Sequence, residues 1–149
     1  MLSHAAIDLG NTFGKMGLFQ NGKLVDFKKG LRVKTLLKEL KKVKPNHTII
    51  CSVTKSKDEI ANTFGEIENL IILSSETPIP IKNAYKTPDT LGYDRLAAAV
   101  GAKSYFPGYA ILIIDMGTAL KYDFINSEAV FKGGIIAPGL QMRFKALHT

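Results

Sequence analysis

Hydrophobic positions in the first half of the chain fall into short apolar runs separated by one long amphipathic stretch. Apolar runs bounded by turn residues predict buried strands, whereas apolar residues three and four positions apart predict helices. Strands are predicted at residues 4–8, 15–19, 23–28, 48–53 and 69–73, with a hairpin turn at Asn21-Gly22. Helices are predicted before Pro45 and, from a capping box at Ser56 and Glu59, to about Gly65. The order is therefore βββαβα, followed by a further strand.

The second half begins with an extended loop, residues 74–86, which contains Pro78 and Pro80. A helix is predicted to begin at Thr87-Pro88, since proline fits the first helical turn, and to end at Pro107-Gly108. The most apolar strand follows at residues 109–115. We then expect a hairpin of residues 121–125 and 129–132, and a last helix after Pro138-Gly139.

Composition narrows the class of protein. The 149 residues are 46% apolar and 22% charged, which is typical of a globular chain. Cys51 is the single cysteine, and His4, His47 and His148 lack ligand spacing, so disulfide and zinc folds are excluded. The longest apolar run, near residues 109–114, is about a third of the ~20 residues that a bilayer requires. We therefore expect a soluble cytoplasmic protein without a membrane segment.

The net charge of +7 is concentrated in one stretch. Residues 28–44 hold eight basic side chains against one acid, Glu39, and the rest of the chain sums to zero. The apolar residues Leu36, Leu37, Leu40 and Val43 recur at helical spacing, which turns the lysines towards solvent. This pattern favours a solvated helix face over a nucleic-acid patch, and no aromatic residue interleaves the lysines for base stacking.

The same short pattern occurs twice. IDLGNT at residues 7–12 and IDMGT at residues 114–118 both place an acid, a glycine and a hydroxyl residue after an apolar strand. A single copy is explained equally well by an ordinary tight turn in which the aspartate bonds its own backbone. The matched pair indicates an internal duplication and favours a functional role for both turns.

The residue types in these turns suit an anion. Gly10 and Gly117 allow the backbone to approach a phosphate, and Thr12 and Thr118 supply hydroxyl donors. Lys15 supplies a counter-charge. The carboxylates of Asp8 and Asp115 repel phosphate, so they imply a cation at the turn.

This duplicated plan resembles the ribonuclease H-like, actin-like ATPases, an α/β class in which two such turns face each other across a cleft and hold nucleotide phosphates. The resemblance implies a first βββαβα domain at residues 1–107 and the start of a second at residues 108–149. Only 34 residues follow Asp115. We therefore expect the second domain to be incomplete and the sequence to be a truncated product.

Four motifs in one order carry a more specific resemblance. They are DLGNTFGK at residues 8–15, YKTPDTLGYDR at 85–95, DMGTA at 115–119 and GGIIAPGL at 133–140. Together they resemble the type III pantothenate kinase family. The resemblance implies ATP-dependent phosphorylation of pantothenate, the first step of coenzyme A synthesis, by a homodimer.

The same resemblance implies a role for each motif residue. Asp94 would be the general base, Asp115 would bind a monovalent cation, K⁺ or NH₄⁺, and Asp8 would bind Mg²⁺ through water. The ATP phosphate loop would comprise Asp8, Leu9, Gly10, Asn11, Thr12, Phe13, Gly14 and Lys15, with Thr118 from the second turn. Pantothenate would contact Tyr85, Gly92, Tyr93, Asp94 and Arg95.

Several of these residues have structural explanations as well. Asp94 near a helix start is stabilised by the helix dipole, Arg95 is equally consistent with a surface ion pair, and an isolated Tyr85 is more often a packed ring. Neighbours on a helix do not face each other, so we expect the Arg95 side chain to be free for an anion. Lys121 departs from the family, whose members usually carry a small hydroxyl residue there, and it points either outward or into the cleft.

Two other functions compete with a pantothenate kinase. A nucleotide-binding or transcription-accessory protein without turnover is supported only by the basic helix. A different actin-like sugar kinase is disfavoured by the YKTPDTLGYDR motif.

Overall fold

The structure, a computed structural model, describes residues 2–10 and 13–148. The chain divides into two compact units, Met1–Thr77 and Pro78–Thr149, called unit 1 and unit 2 below. Each unit combines one β-sheet with helices. Within the described residues, no helix has the length and apolar character needed to span a membrane.

Unit 1 is built on a five-stranded sheet with the strand order β3-β2-β1-β4-β5. Strands β1, β4 and β5 run parallel, whereas β2 pairs antiparallel with β1 and β3 antiparallel with β2. Its elements are β1 (Ser3–Leu9), β2 (Gly14–Gln20), β3 (Lys23–Leu31), α1 (Val33–Val43), β4 (His47–Ser52), α2 (Lys57–Phe64) and β5 (Leu70–Ile72). This order confirms the predicted βββαβα arrangement with one further strand.

The core of unit 1 lies between one face of the sheet and both helices. The register brings Ile7 beside Met16 on β2 and Ile50 on β4, and α1 contributes Leu36 and Leu40 to the same cluster. The lysines of α1 point to solvent, as the helical spacing predicts. Burial of large aliphatic side chains contributes about 1.5–3 kcal/mol each, so this face holds the unit together.

The local signals at the ends of these elements are realised. The turn between β2 and β3 has Asn21 at φ 50° and Gly22 at φ 77°, the backbone that a two-residue hairpin requires. The Ser56 side chain accepts a hydrogen bond from the Glu59 amide, and the Glu59 side chain accepts one from the Ser56 amide. Both backbone donors at the start of α2 are thereby satisfied.

Unit 2 contains a four-stranded sheet with the order β6-β9-β8-β7. Its elements are β6 (Lys82–Asn83), a 3₁₀ turn (Pro88–Thr90), α3 (Tyr93–Tyr105), β7 (Ile111–Met116), β8 (Ala119–Ile125), β9 (Val130–Pro138) and α4 (Leu140–Ala146). Leu96 and Ala99 on α3 pack against Ile125 and Phe131 of the sheet. Alternate residues of β7, among them Leu112 and Ile114, are exposed on the other face.

Unit 2 differs from the predicted elements in three places. The loop at residues 74–86 contains the two-residue strand β6, which pairs in parallel with β9 and is too short to leave a periodic pattern. Thr87 and Pro88 open the 3₁₀ turn instead of α3, because Leu91 adopts an extended backbone and is buried in the core. Strand β9 continues beyond residue 132 to Pro138, passing through Gly134, whose missing side chain leaves room for the Tyr122 carbonyl.

The division of the chain into two compact units also lies at a different position from the predicted domain boundary at residues 107 and 108. The division falls between Thr77 and Pro78, so α3 belongs to unit 2. The physical reason is that α3 packs against β7 and β8 through its buried side chains. The boundary of the implied actin-like domains, which is a different definition, stays a prediction.

Candidate functional site

The first acid-glycine bend joins β1 to β2 in unit 1. Asp8 lies opposite Lys15 and Leu9 opposite Gly14 in the antiparallel ladder. A Cβ on Gly14 would lie 2.5 Å from a Leu36 methyl carbon, so glycine is needed to let α1 approach the strand. Two predicted phosphate-loop residues, Asn11 and Thr12, lie outside the described residues.

The charged side chains of this bend remain accessible. The Lys15 ammonium donates to Asp8 Oδ2 over 3.1 Å, and the Lys15 side chain is 60% exposed. A hollow of about 250 Å³ lies beside the bend; it is lined by Leu9, Gly10, Phe13, Gly14, Leu31, Val33, Thr54 and Lys55. An exposed ammonium beside backbone amides suits a phosphate group.

Lys55 is a basic residue of this hollow that sequence reasoning missed. Strand β4 runs parallel to β1, and Leu9 lies beside Ser52, so the segments after both strands meet at one sheet edge. Recognising that parallel pairing in the sequence is the signal that would have pointed to Lys55. A larger hollow of about 490 Å³, which includes Asn46, lies at the opposite end of the sheet and contains none of the predicted site residues.

Asp8 fits the implied Mg²⁺ ion. Magnesium in phosphate-binding sites is held by one or two carboxylates together with substrate phosphates and water. Asp8 offers a partly exposed carboxylate whose Oδ2 contacts Lys15. Within residues 2–10 and 13–148, no three acidic, histidine or cysteine side chains form a metal cluster.

The second acid-glycine bend joins β7 to β8 in unit 2. Asp115 lies directly opposite Lys121, and the two-residue turn is Gly117-Thr118. Gly139 packs on this turn, where its amide donates to the Thr118 carbonyl over 3.0 Å. A Cβ on Gly139 would lie 2.4 Å from the carbonyl oxygens of Gly117 and Thr118. Gly139, the second-to-last residue of the GGIIAPGL motif, therefore supports the bend.

Asp94 is held in the first turn of α3, next to this second bend. Gly92 is the N-cap of the helix and Tyr93 its first residue. The Lys121 ammonium donates to Asp94 Oδ2 over 2.6 Å and to Asp115 Oδ2 over 2.8 Å. The structure thus brings together three charged residues singled out in the sequence, and it answers the question about Lys121, which turns towards Asp94.

Lys121 is the electrostatic centre of this group, which we call the Lys121 triad (Asp94, Asp115 and Lys121). Its side chain is 21% exposed. Burial by itself lowers the pKa of Lys121, but the hydrogen bonds to Asp115 and Asp94 and their charges outweigh it and raise the pKa. Lys121 is therefore charged throughout the physiological pH range.

The Lys121 triad does not fit the monovalent cation that the resemblance implies at Asp115. Asp115 Oδ2 already accepts a hydrogen bond from a positively charged ammonium group. A second cation at that oxygen would meet like-charge repulsion at close range. The Lys121 ammonium is 21% exposed and also bound to Asp94, whereas the Lys15 ammonium beside Asp8 is 60% exposed and free to move aside for a cation. The expected K⁺ or NH₄⁺ ion thus meets a different arrangement, in which the positive charge belongs to the chain.

Arg95 lies on the same helix turn but faces the core. It is 5% exposed, and its Nε donates to both Asp123 carboxylate oxygens at 3.0 Å. Its Nη2 also donates to Asp123 Oδ1 over 2.5 Å. The hydrogen bonds to Asp123 raise the pKa of Arg95. The expectation of a free Arg95 side chain therefore differs from the structure, and a contact between Arg95 and substrate stays a prediction.

Tyr85 is a packed ring in the same part of unit 2. The Arg95 guanidinium carbon lies 5.4 Å from the ring centroid, within the range of a cation–π contact. The ring also fills the space above Gly133, where a Cβ would lie 2.4 Å from Tyr85 Cδ2.

Asp123 is a buried acid that the sequence analysis did not identify. The signal that could have identified it is an acid between Tyr122 and Phe124, at a core-facing position of a strand.

A model of the type III pantothenate kinase family matches residues 5–149. A protein from Cytophaga hutchinsonii with that name is 45% identical over 141 residues, which cover 95% of this chain and 59% of that protein. A protein of the same name from Phocaeicola vulgatus is 42% identical over 145 residues, covering 95% of this chain and 60% of that protein. The chain therefore spans about 60% of the length of these relatives.

Two solved structures share the fold. A Campylobacter jejuni protein described as a Baf family transcriptional activator has a TM-score of 0.58 at 20% identity, covering 96% of this chain and 58% of that one. The type II variant of the Aquifex aeolicus Ppx/GppA phosphatase has a TM-score of 0.57 at 15% identity, covering 98% and 55%. The predicted α/β fold of the actin-like ATPase class is confirmed.

Proposed function

Because this chain belongs to the type III pantothenate kinase family, we propose that it transfers the γ-phosphoryl group of ATP to pantothenate. The products are 4'-phosphopantothenate and ADP, at the first step of coenzyme A synthesis. We place this activity in the cytoplasm, in a homodimer. The observation that carries the proposal is the placement of the Asp94 carboxylate. Asp94 lies in the first turn of α3, and its side chain accepts a hydrogen bond from the ammonium group of Lys121.

Asp94 is assigned as the general base. In the transfer, the substrate hydroxyl loses its proton to Asp94, its oxygen forms a bond to the γ-phosphorus, and the bond from phosphorus to the ADP oxygen breaks. Asp94 Oδ2 accepts from Lys121, and we assign the hydroxyl to Oδ1.

The bend between β1 and β2 is assigned to the ATP phosphates. Lys15 supplies an exposed ammonium, Gly10 supplies accessible backbone, and Lys55 adds a second positive charge at the same hollow. Asp8 would help to hold the Mg²⁺ ion that neutralises the phosphates when ATP binds. From the family resemblance, we assign Asn11 and Thr12 on the first bend, and Thr118 on the second bend, to ATP binding.

Pantothenate is assigned to the segment around the start of α3. Gly92 and Tyr93 flank Asp94 there. Tyr85 and Arg95 are assigned to the same pocket, with the Arg95–Asp123 ion pair fixing the helix turn that carries Asp94. Arg95 thus has a positioning role in addition to any contact that it makes with the carboxylate of pantothenate.

Product formation is the direct test. Purified chain, and alongside it the longest product of its gene, would be incubated with ATP, Mg²⁺ and pantothenate, and the product identified by mass. Asp94→Asn is expected to lower the rate by about 10²–10⁴-fold, the usual contribution of a general base. Asp89→Asn is the matched control, because Asp89 is an exposed acid in the adjacent 3₁₀ turn. A rate that is unchanged by Asp94→Asn, or by omission of ATP, contradicts the assignment.

A transcription-accessory role is the second candidate. It is favoured by the described role of the Campylobacter jejuni neighbour and by the exposed lysines of α1. Binding of this kind would show a steep loss of affinity for DNA with added salt. A salt-dependent DNA complex that survives Asp8→Asn, in a chain without kinase activity, would favour this candidate.

A further inference from the structure

We infer that the ammonium group of Lys121 is the built-in monovalent cation of this site, and that the chain therefore works without K⁺ or NH₄⁺. The inference rests on the proposed function for the role of Asp94. Its structural basis is the Lys121 triad, in which one ammonium contacts two carboxylates from different elements.

The chemistry of the ammonium group supports this assignment. A lysine head group is a compact point charge with three donors, and it differs from NH₄⁺ in carrying a carbon chain in place of one hydrogen. Its distances to Asp94 and Asp115, 2.6 and 2.8 Å, are those of close charge-assisted hydrogen bonds. Lys121 thus makes the carboxylate contacts that a free ammonium ion would make.

Backbone register holds the charge in place. Asp115 and Lys121 are direct cross-strand neighbours in the ladder between β7 and β8, so strand pairing alone brings their side chains together. Asp94 comes from the first turn of α3, which packs against the same two strands. A cation attached to the chain has no dissociation equilibrium, so its occupancy does not depend on the salt in solution.

The burial of Lys121 separates it from an ordinary surface pair. Its side chain is 21% exposed, against 60% for Lys15, which occupies the corresponding position in the first bend. Charges that are shielded from solvent are screened less by salt. We therefore assign Lys121 as a positioning residue that orients the Asp94 carboxylate, a task that a dissociable ion would otherwise perform.

Two substitutions of Lys121 distinguish the charge from the space it occupies. Lys121→Ser removes the ammonium, opens a gap between the two carboxylates and adds a hydroxyl oxygen that is able to coordinate a cation. Lys121→Met also removes the charge but fills the gap with an apolar chain of similar length. Lys132→Ser on β9 is the matched control, because Lys132 is an exposed lysine of the same sheet.

The first readout is thermal melting in KCl, NH₄Cl, LiCl and tetramethylammonium chloride at equal ionic strength. The unmodified chain and Lys132→Ser are expected to melt at the same temperature in all four salts. Lys121→Ser is expected to gain about 2–5 °C specifically in KCl and NH₄Cl, and Lys121→Met to gain nothing. Adding Asp115→Asn to Lys121→Ser is expected to abolish the gain, which assigns the ion to this carboxylate.

The second readout uses the unmodified chain and so does not depend on the folding of a variant. Tl⁺, a K⁺-sized probe, is expected to show no protein-dependent broadening of its NMR signal with the unmodified chain. Specific K⁺ stabilisation or K⁺-competed Tl⁺ binding by the unmodified chain would overturn the inference. A folded Lys121→Ser protein that ignores K⁺ would overturn it too.

Kinase turnover gives the third readout. The unmodified chain is expected to change rate less than twofold when tetramethylammonium replaces K⁺, whereas Lys121→Ser should lose at least tenfold without K⁺ and recover in KCl or NH₄Cl. Melting and Tl⁺ binding involve neither ATP nor pantothenate. A chain that lacks kinase activity but behaves as expected in those two measurements would contradict the proposed function alone, whereas K⁺-dependent turnover of the unmodified chain would contradict the tethered cation alone.

Discussion

Each of the two acid-glycine bends contains a cross-strand pair of an aspartate and a lysine, but the surroundings of the two pairs differ. Asp8 faces Lys15 in the first bend, and Asp115 faces Lys121 in the second, each in register across an antiparallel hairpin. The first lysine reaches one carboxylate and is largely exposed, whereas the second reaches two carboxylates and is largely shielded. The same two residue types thus form a solvent-exposed contact in unit 1 and a network of three charges in unit 2.

Neighbouring helices and strands, more than the motif itself, determine the solvent exposure and the partners of an acid-lysine pair. In unit 2, α3 brings Asp94 to Lys121, and the buried pair of Arg95 and Asp123 anchors the same turn of the helix. In unit 1, the first bend opens onto a hollow with Lys15 exposed beside it. An exposed cation remains available to a ligand, whereas a shielded one organises the protein's own carboxylates.

The largest effect is expected from the buried ion pair of Arg95 and Asp123, which anchors the first turn of α3 to β8. Asp123→Asn leaves the Arg95 charge buried without its carboxylate, and it is expected to destabilise the chain by about 3–5 kcal/mol. Asp26→Asn in unit 1 is the control, because the Asp26 side chain is 48% exposed and lies 3.8 Å from Lys28. Chemical denaturation of both variants measures the difference, and equal losses would remove the contrast between buried and solvated charge.

A smaller effect is expected from the glycine that supports the second bend. Gly139→Ala places a methyl group against the Gly117 and Thr118 carbonyls and should cost about 1–3 kcal/mol through displaced backbone. A Cβ on Gly117 would meet its nearest atom at 3.9 Å, an ordinary contact distance. Gly117→Ala should therefore be the better tolerated of the two in thermal melts. The reverse ranking would mean that the turn, and not its support, is the constrained part.

The hairpins that follow the two bends offer a stabilising substitution. Unit 1 uses Asn21-Gly22 in its turn, whereas unit 2 has Ala129 at φ 58°, a left-handed conformation that is costly for alanine. Ala129→Gly is expected to stabilise the chain by up to about 1 kcal/mol by removing that strain. A thermal melt measures the rise. Gly22→Ala should have the opposite sign, and a fall in midpoint for both variants would contradict this account.

The smallest effects are the coupling energies of the two acid-lysine pairs. Double-mutant cycles with Lys15→Met and Asp8→Asn should give about 0.2–1 kcal/mol, falling with added salt, as for other exposed pairs. The cycle with Lys121→Met and Asp115→Asn should give a larger coupling that salt reduces less, because the Lys121 side chain is 21% exposed against 60% for Lys15, although the Asp115 side chain is itself 54% exposed. Equal couplings with equal salt dependence would show that burial makes no difference to these pairs.

The chemistry-bearing residues of both bends were predictable because strand periodicity and turn chemistry are local. IDLGNT and IDMGT each lie at the end of a strand that its apolar pattern reveals, and Asn21-Gly22 identifies a hairpin without any tertiary information. The capping box at Ser56 was equally local. In contrast, β6 consists of two residues held by pairing with a distant strand, so no local pattern could mark it.

The partners of the charged side chains were beyond the reach of the sequence for a related reason. Arg95 and Asp123 form hydrogen bonds although they are 28 residues apart in the sequence. No spacing rule connects a helix position to a strand position at that distance. Lys121 departs from the family pattern, but the direction of its side chain depends on α3, which packs against β7 and β8. Lys55 joined the first hollow only through parallel pairing of β4 with β1.

Local sequence was enough to identify the repeated motif, the order of the main elements, the family and the residue types available for chemistry. These depend on side-chain identity and on periods of two or four residues, which the chain carries everywhere. Tertiary structure alone decided which charges are shielded and which carboxylates share one ammonium. Burial and pairing depend on contacts between residues far apart in the chain, and the strength of a charge interaction depends on how much water those contacts exclude.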